Sequence, residues 1–513
     1  MVAKPTRIMP TLRGGNHHGP RRPWRKKRAL TGSFAYLAGP FIAIALISME
    51  TAWSSTQHLE VNPVTAFRVD KGEVTKHLVT ALRFKTVSFQ DPAKFDASAF
   101  LGLHEYLRQT FPRVHSSLIR EVIGQYSLLY TWQGQDPTLQ PIVLMAHMDV
   151  VPAEEEGEEK WTQPPFEGAV AEGYIWGRGA LDDKGSMMGI FEAVETLLGH
   201  EFRPRRTVYL AFGHDEEVLG SNGGEQIAAL LHSRGIVPEF VLDEGGSVVR
   251  RAAKEIHSPI AVVGVAEKGY LNLKLTVEGR GGHSALPPKQ TTIGILSRAI
   301  DNLEKHQMPA RVTKPVRQSL KALQPELPFF EKAVLANLWL FGPRIVSKGG
   351  SPEINAEVRT TTAPTIFNAG IRENVLPRSA TAIVNFRTLP GDDVERVRSH
   401  AIKVIHDPRV TVTLSGHHHD PSGMSSPSSP SYKLIVGAVL QMFPGAVPVP
   451  ALVAAATDSR HYSGIATGVY RFIPAELDRQ DLARIHGKDE RISPDNYVRG
   501  IQFYILLITN AAQ

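Results

Sequence analysis

Three apolar runs in this chain each end in groups that could hold a metal ion or move a proton. Ile142 to Ala146 is followed by His147-Met148-Asp149, Thr207 to Phe212 by Gly213-His214-Asp215-Glu216-Glu217, and Phe240 to Leu242 by Asp243-Glu244-Gly245-Gly246. Between the first two lies a loop framed by Gly177, Gly179 and Gly185 that carries Asp182 and Asp183. A single acid or histidine after a strand is usually a helix cap or a hydrogen-bonded structural group. Three successive strand ends with the same chemistry, plus an acidic loop, are better explained by one shared metal site. The 513 residues include no cysteine, so such a site must use His, Asp and Glu, which favours hard or borderline ions such as zinc.

The residue types suit a pair of divalent cations. Two ions about 3.5–4 Å apart need a bridging carboxylate, terminal imidazole or carboxylate ligands, and a shared water made more acidic by them. Asp182 is the natural bridge. If the first strand persists, His147 and Asp149 point to one face, and Asp149 can accept the second imidazole N–H. Glu216 and Glu217 are neighbours pointing in different directions, so one can ligate while the other takes a proton from the water.

The elements that must position these groups read as an α/β fold. Strands are expected at 142–146, 207–212 and 240–242, with helices at Lys184–Leu198 and Glu225–His232, and ligands in such sheets sit outside the carboxyl ends of the strands. Alternation of Leu271, Leu273, Leu275 and Val277 predicts a half-buried strand, and an apolar helix is expected from Pro494. The apolar stretch Leu327 to Phe341 reads as packing. His417 to His419, with the Ser/Pro-rich stretch to Pro430, reads as a solvated linker, and the acidic run Glu154 to Glu159 as an exposed loop.

Charge placement narrows the function class. The formal charge is +6, from 57 Lys and Arg against 51 Asp and Glu. Nine of the cations (Lys4, Arg7, Arg13, Arg21, Arg22, Arg25, Lys26, Lys27 and Arg28) precede the first acid, Glu50, so the remainder is mildly acidic. Basic charge confined to one end argues against nucleic acid as a partner, since phosphate tracking needs a basic stripe on the fold itself. Ala29 to Met49 is uncharged and follows a basic cluster, which predicts a membrane segment at about 29–51. By the positive-inside rule its N-terminus would be cytoplasmic and the catalytic body on the other side; secretion after signal cleavage is the alternative.

The strings MAHMDVVP, WGRGALDDKG, GHDEEVLGSNGG, VLDEGG, GRGGHSALPP, ENVLP, NFRTLPGDD, TDSRHY and RIHGKDERI occur in this order. Together they resemble the dinuclear zinc exopeptidases of the glutamate carboxypeptidase and aminoacylase type, metallopeptidase family twenty. INAEVRTTTAPTIFNAG and LWLFGP are similar to the branch holding carboxypeptidase S and the N-fatty-acyl-amino-acid synthase/hydrolases. The resemblance implies a catalytic domain with a mixed sheet flanked by helices, at 61–267 and 417–513. An α+β lid, which also serves dimerisation, would be inserted at 268–416, and residues 1–60 would form the basic tail and membrane segment.

It also implies one zinc on His147, Asp182 and Asp243 and a second on Asp182, Glu217 and His486, with Co2+ or Mn2+ as substitutes. Glu216 would be the general base, Asp149 would orient His147, and Asp182–Asp183 would be a cis peptide. His283 would stabilise the oxyanion, often from the opposite subunit of a homodimer. Asn374 and Arg387 would hold substrate, the Arg387 fork suiting a free carboxylate. Arg460 is a second carboxylate candidate that could instead brace Asp458. The implied activity is hydrolysis of an amide bond next to a free C-terminal amino acid, in peptides or in N-acyl amino acids. For the latter, Leu327 to Phe341 would be a wall for a fatty acyl chain rather than packing. A non-catalytic metal-binding protein and a two-metal phosphoesterase are the readings from other classes.

Overall fold

The computed structural model describes residues 67–153, 160–253, 256–337 and 352–513. Its main sheet runs in the order β1 (Ile119–Ile123), β2 (Ser127–Trp132), β4 (Val208–Gly213), β3 (Ile142–His147), β5 (Phe240–Asp243), β12 (Val469–Arg471) and β6 (Ile260–Glu267), with two short strands beyond. The middle is parallel: β3 pairs with both β4 and β5, and β12 with β5. Strands covered on both faces need apolar residues at every position, and β2, β3 and β4 are buried throughout. The core is completed by the helices Lys184–Gly199 and Pro494–Ala512, which contribute Met187, Phe191, Phe503 and Leu507. The expected elements lie where they were read, within a residue or two.

A second, antiparallel sheet has its own core. Its order is β8 (Thr361–Ala369), β9 (Ser379–Thr388), β7 (Gly269–Glu278) and β10 (Val410–His419). Leu271, Leu273, Leu275 and Val277 pack with Ala382, Val384 and Phe386 under the helices Thr292–Lys305 and Val394–Ile405. The period-2 pattern therefore faces these helices, leaving Tyr270 and Asn272 for the opposite face.

Part of the segment between the helix Thr292–Lys305 and β8 leaves this sheet. The helix Lys314–Leu323 buries Val316 against Ala266, Val358 and Leu452, and the Ser319 hydroxyl donates to the Pro450 carbonyl at 2.6 Å on β11 (Val447–Val453). Of the apolar stretch Leu327 to Phe341, the helix Phe329–Ala336 exposes Phe329 (71%) and Phe330 (74%) rather than burying them. Residues 338–341 lie outside the described residues.

Two expectations are corrected. His417 to His419 is not a linker: it closes β10, where His419 pairs with Tyr270 while Ser415 already pairs with Asn272, so a bulge carries the exposed His417 and His418. The single-pass membrane placement is also left without support. Among the described residues no helix is long and apolar enough to cross a membrane, and 29–51 itself lies outside them. The run Glu154 to Glu159 likewise lies outside the described residues.

Candidate metal centre and active site

The ends of β3, β4 and β5 meet the loops 177–185 and 486–490. His147, the last residue of β3, sets Nε2 at 3.0 Å from Asp182 Oδ1 and 3.5 Å from Glu244 Oε1. His486 sets its Nε2 at 3.0 Å from both Asp182 Oδ2 and Glu217 Oε2. Asp182 thus stands between the two imidazoles, one oxygen to each, and the Asp182–Asp183 peptide is cis. His147, Asp182 and Glu217 form one cluster of potential ligand atoms and His147, Asp183 and Glu244 another.

Asp243 stands apart from these clusters. It is buried, and its Oδ2 accepts the Ser459 N–H at 2.8 Å. The neighbouring Glu244 is the carboxylate from this strand end that approaches His147. The sequence showed Glu244 only as half of an Asp-Glu pair, and nothing local separates the two.

Asp149 does more than orient an imidazole. His147 Nδ1 lies 3.0 Å from the main-chain oxygen of Asp149 and 3.4 Å from its Oδ1. Asp149 Oδ2 accepts the Ser88 hydroxyl at 2.7 Å. The same carboxylate receives the main-chain N–H groups of Glu216 and Glu217. The strand ends at His147, so the shared face expected of a continuing strand is replaced by a turn.

Two further residues tie the ligand loops together, and neither was singled out in the sequence. Glu490 is fully buried; its Oε1 accepts the N–H groups of Gly179, Leu181 and Asp182 at 3.1, 2.7 and 3.1 Å. Its Oε2 pairs with Arg178 at 2.7 Å, and Arg178 donates onward to the carbonyls of His486 and Gly487. The only available signal was their place in WGRGALDDKG and RIHGKDERI, since an Arg–Glu pair 312 residues apart has no local period. Asp489 turns away from His486 and accepts the Thr162 N–H at 2.7 Å.

The loop bearing Glu216 and Glu217 wraps the Asp458 carboxylate closely. A Cβ on Gly220 would fall 1.8 Å from Asp458 Oδ1, and one on Gly224 2.2 Å from Oδ2. Leu219 adopts a left-handed φ of 85°, costly for a non-glycine residue. Arg460 holds this turn through the Leu219 carbonyl at 2.5 Å and donates to the Thr457 carbonyl at 2.8 Å. Its guanidinium also stands 3.9 Å from Asp458 Oδ1, so it braces both the turn and that carboxylate.

The remaining expected residues lie on the second sheet and its outlying ribbon. Arg387 on β9 lies over the Tyr270 ring at 4.8 Å, within electrostatic reach of Glu216. His283 belongs to an exposed two-stranded ribbon, with Asn374 in the turn just before the ribbon's second strand, and His283 Nδ1 accepts the Ala285 N–H. Among the described residues no hydrogen bond or ion pair joins either of them to the carboxylate cluster.

Electrostatics show what the cluster lacks. Seven carboxylates (Asp149, Asp182, Asp183, Glu216, Glu217, Asp243 and Glu244) surround two imidazoles, all but His486 buried or half-buried. Burial pushes the Glu216 carboxyl well above its usual range, with the charges of Glu244, Asp458 and Glu217 adding to it. Burial would lower His147, but Asp149, Asp182 and Glu244 outweigh it and hold its pKa well up. Hydrogen bonds to Asp182 and Glu217 raise His486 to about 10. Both oxygens of Asp183 and Oε1 of Glu217 are buried without a hydrogen-bond partner. Such a concentration of negative charge is uncompensated unless cations enter, and the donor set of imidazole and carboxylate fits divalent metal ions.

Comparison with known proteins agrees with this chemistry. Residues 143–510 match the family model described as Peptidase family M20/M25/M40. The chain is 42% identical over 444 residues to the probable carboxypeptidase S-like 2 of Dictyostelium discoideum, covering 85% of each. It is 42% identical over 446 residues to the N-fatty-acyl-amino acid synthase/hydrolase PM20D1 of Mus musculus, covering 85% of this chain and 88% of that one. Among solved structures, an M20 family metallo-carboxypeptidase from Sulfolobus solfataricus superposes with a TM-score of 0.64 at 17% identity, covering 86% of this chain and 99% of that one.

Proposed function

The chain belongs to peptidase family M20/M25/M40, and from that premise we propose a dinuclear zinc hydrolase that cleaves the amide bond next to a free C-terminal amino acid. One observation carries the substrate class. The Arg387 side chain has no hydrogen bond or ion pair among the described residues; it rests on the Tyr270 ring near Glu216, its fork free for a carboxylate.

His147, Asp182 and a carboxylate from the end of β5, Asp243 or Glu244, would hold one ion; Asp182, Glu217 and His486 would hold the other. Bound there, such ions polarise a carbonyl and acidify water. Glu216 takes the proton of the attacking water as its oxygen bonds to the scissile carbonyl carbon. As the C–N bond breaks, the same carboxyl delivers that proton to the leaving amine. Residues 61–267 and 420–513 act as the catalytic domain, with 268–419 as an inserted lid, the boundary expected at 416 moving to 419 because β10 runs on to His419.

His283 and Asn374 serve the site of a second copy in a homodimer. Support comes from their exposed ribbon and from the edge strand β8, which leaves Ile366 (50%) and Phe367 (44%) exposed.

A second reading, hydrolysis or synthesis of N-fatty-acyl amino acids, is favoured by the mouse relative and by the exposed Phe329 and Phe330. The test is release of free amino acid by the zinc-loaded chain from blocked dipeptides and from N-oleoyl amino acids, with Glu216→Gln as control. Preference for dipeptides supports the carboxypeptidase; preference for N-oleoyl substrates selects the second reading. Silence on both panels with two zinc ions bound overturns catalysis and leaves a metal-binding protein.

A further inference from the structure

Arg387, Tyr270 and His419 form one row across three neighbouring strands. Tyr270 on β7 is paired with Arg387 on β9 and, on its other side, with His419 on β10. The Arg387 guanidinium lies 4.8 Å from the Tyr270 ring centroid. The His419 ring stacks on Tyr270 with centroids 6.2 Å apart and planes 17° from parallel. The bulge between Ser415 and His419 makes this contact, because it lets the chain slip so that His419 stands opposite Tyr270.

The tyrosine is fixed at its far end as well. Its hydroxyl oxygen accepts from Asn272 Nδ2 at 3.0 Å, and Asn272 Oδ1 accepts from Asn385 Nδ2 at 2.8 Å. Residues 270 and 272 share one face of β7, as 385 and 387 share one face of β9, so the network lies on the side away from the lid helices. His419 is anchored by Nδ1 against the Asp420 carbonyl at 3.2 Å. Every ring or amide in the row thus has a partner that sets its orientation, whereas Arg387 has only the ring.

We propose that Tyr270, clamped by His419 and Asn272, is the positioning residue that aims Arg387 at the free carboxylate of the substrate. This rests on the reading of Arg387 given above. An arginine without an ion-pair partner has many rotamers, and ordering it on binding weakens affinity. A flat aromatic face that attracts the guanidinium and cannot itself rotate holds the fork ready beforehand. The clamp acts on binding of the carboxylate and leaves the proton transfer at Glu216 untouched.

The experiment measures kcat and KM for a blocked dipeptide with a free C-terminal carboxylate and for its C-terminal carboxamide, using the zinc-loaded full chain. Wild type, Arg387→Ala, Tyr270→Leu, His419→Ala and His419→Phe are compared, each with its zinc content. Tyr270→Leu and His419→Ala should raise KM for the free acid about 5- to 20-fold, with kcat and zinc content near wild type and the carboxamide unaffected. His419→Phe keeps a flat ring on Tyr270 and should restore the KM lost in His419→Ala. An equal rise for acid and carboxamide, or no rise in Tyr270→Leu, overturns the clamp. If Arg387→Ala abolishes the preference for the free acid while Tyr270→Leu preserves it, the clamp falls and the reading of Arg387 stands. If wild type treats acid and carboxamide alike, both fall.

Discussion

Asp149 grips Glu216 by the main chain: its Oδ1 accepts the Glu216 N–H at 3.2 Å, and its Oδ2 takes the next N–H, of Glu217, at 3.1 Å. One fully buried carboxylate therefore fixes the proposed base and the adjacent ligand together, while its Oδ1 also stands 3.4 Å from His147. Such outer-shell groups control both ligand geometry and metal affinity. Asp149→Ala should lower zinc affinity by about 10- to 100-fold and reduce turnover further at saturating zinc. Competition with a chelator measures the first, and steady-state kinetics at high zinc the second. Unchanged affinity would show that the loop 213–224 holds itself.

Glu216→Gln removes the titrating oxygen and keeps the shape. Turnover should fall by about 10²–10⁴-fold, with zinc content unchanged, because Glu217 and His486 still face Asp182. Rates and metal analysis on the same preparation decide this. A variant that loses both metal and rate would place Glu216 among the ligands.

At the end of β5 the resemblance favours Asp243, whereas the geometry brings Glu244 to 3.5 Å from His147. Asp243→Asn and Glu244→Gln separate the two. The variant of the true ligand should bind a single zinc tightly. The other should retain two and lose mainly stability, since Asp243 Oδ2 also secures the Ser459 N–H.

Most of this architecture could be read from the chain, for identifiable reasons. The strands leading to His147, Glu216 and Asp243 are continuous apolar runs because both faces of their sheet are covered, and the chemistry follows each run directly. His486 had no such marker; it follows a short helix, at a left-handed φ of 60°, and becomes a partner of Asp182 only through tertiary contact. Glu490 and Arg178 escaped for the same reason. His419 was misread because a polar tract beside Ser and Pro resembles a linker, and a bulge cannot be seen in composition. Arg460 was offered two roles by sequence, and its contacts with the Leu219 carbonyl and, at 3.9 Å, with Asp458 Oδ1 fit the bracing one.

Glu490→Gln tests the tie between the two ligand loops. Glu490 accepts three main-chain N–H groups from the Asp182 loop and the Arg178 guanidinium, and the amide can replace only part of this. Breaking one partner of a buried pair costs roughly 3–5 kcal/mol, so the melting temperature should drop clearly. Zinc should be lost preferentially from the site containing His486, whose carbonyl Arg178 holds. A variant with wild-type melting and two tightly held ions would refute the tie.

Acid stability should depend on His104, which lies on the helix Ala97–Thr110, outside the carboxylate cluster. The ring is buried, Nε2 faces the Tyr126 carbonyl at 2.9 Å and Nδ1 lies 3.4 Å from Arg120 Nη2. Burial, with the Arg120 charge adding to it, lowers its pKa to about 4, from an unfolded value of 6.5. The folded state therefore favours the neutral ring, and between pH 6.5 and 4 the unfolded chain binds more protons. Stability from this group is complete above pH 6.5 and drains away as pH falls toward 4, a loss on the order of 1–3 kcal/mol. His104→Gln cannot titrate, so its melting temperature should decline less between pH 7 and pH 4.5 than that of wild type. Parallel declines measured by calorimetry would mean that other groups carry the acid sensitivity.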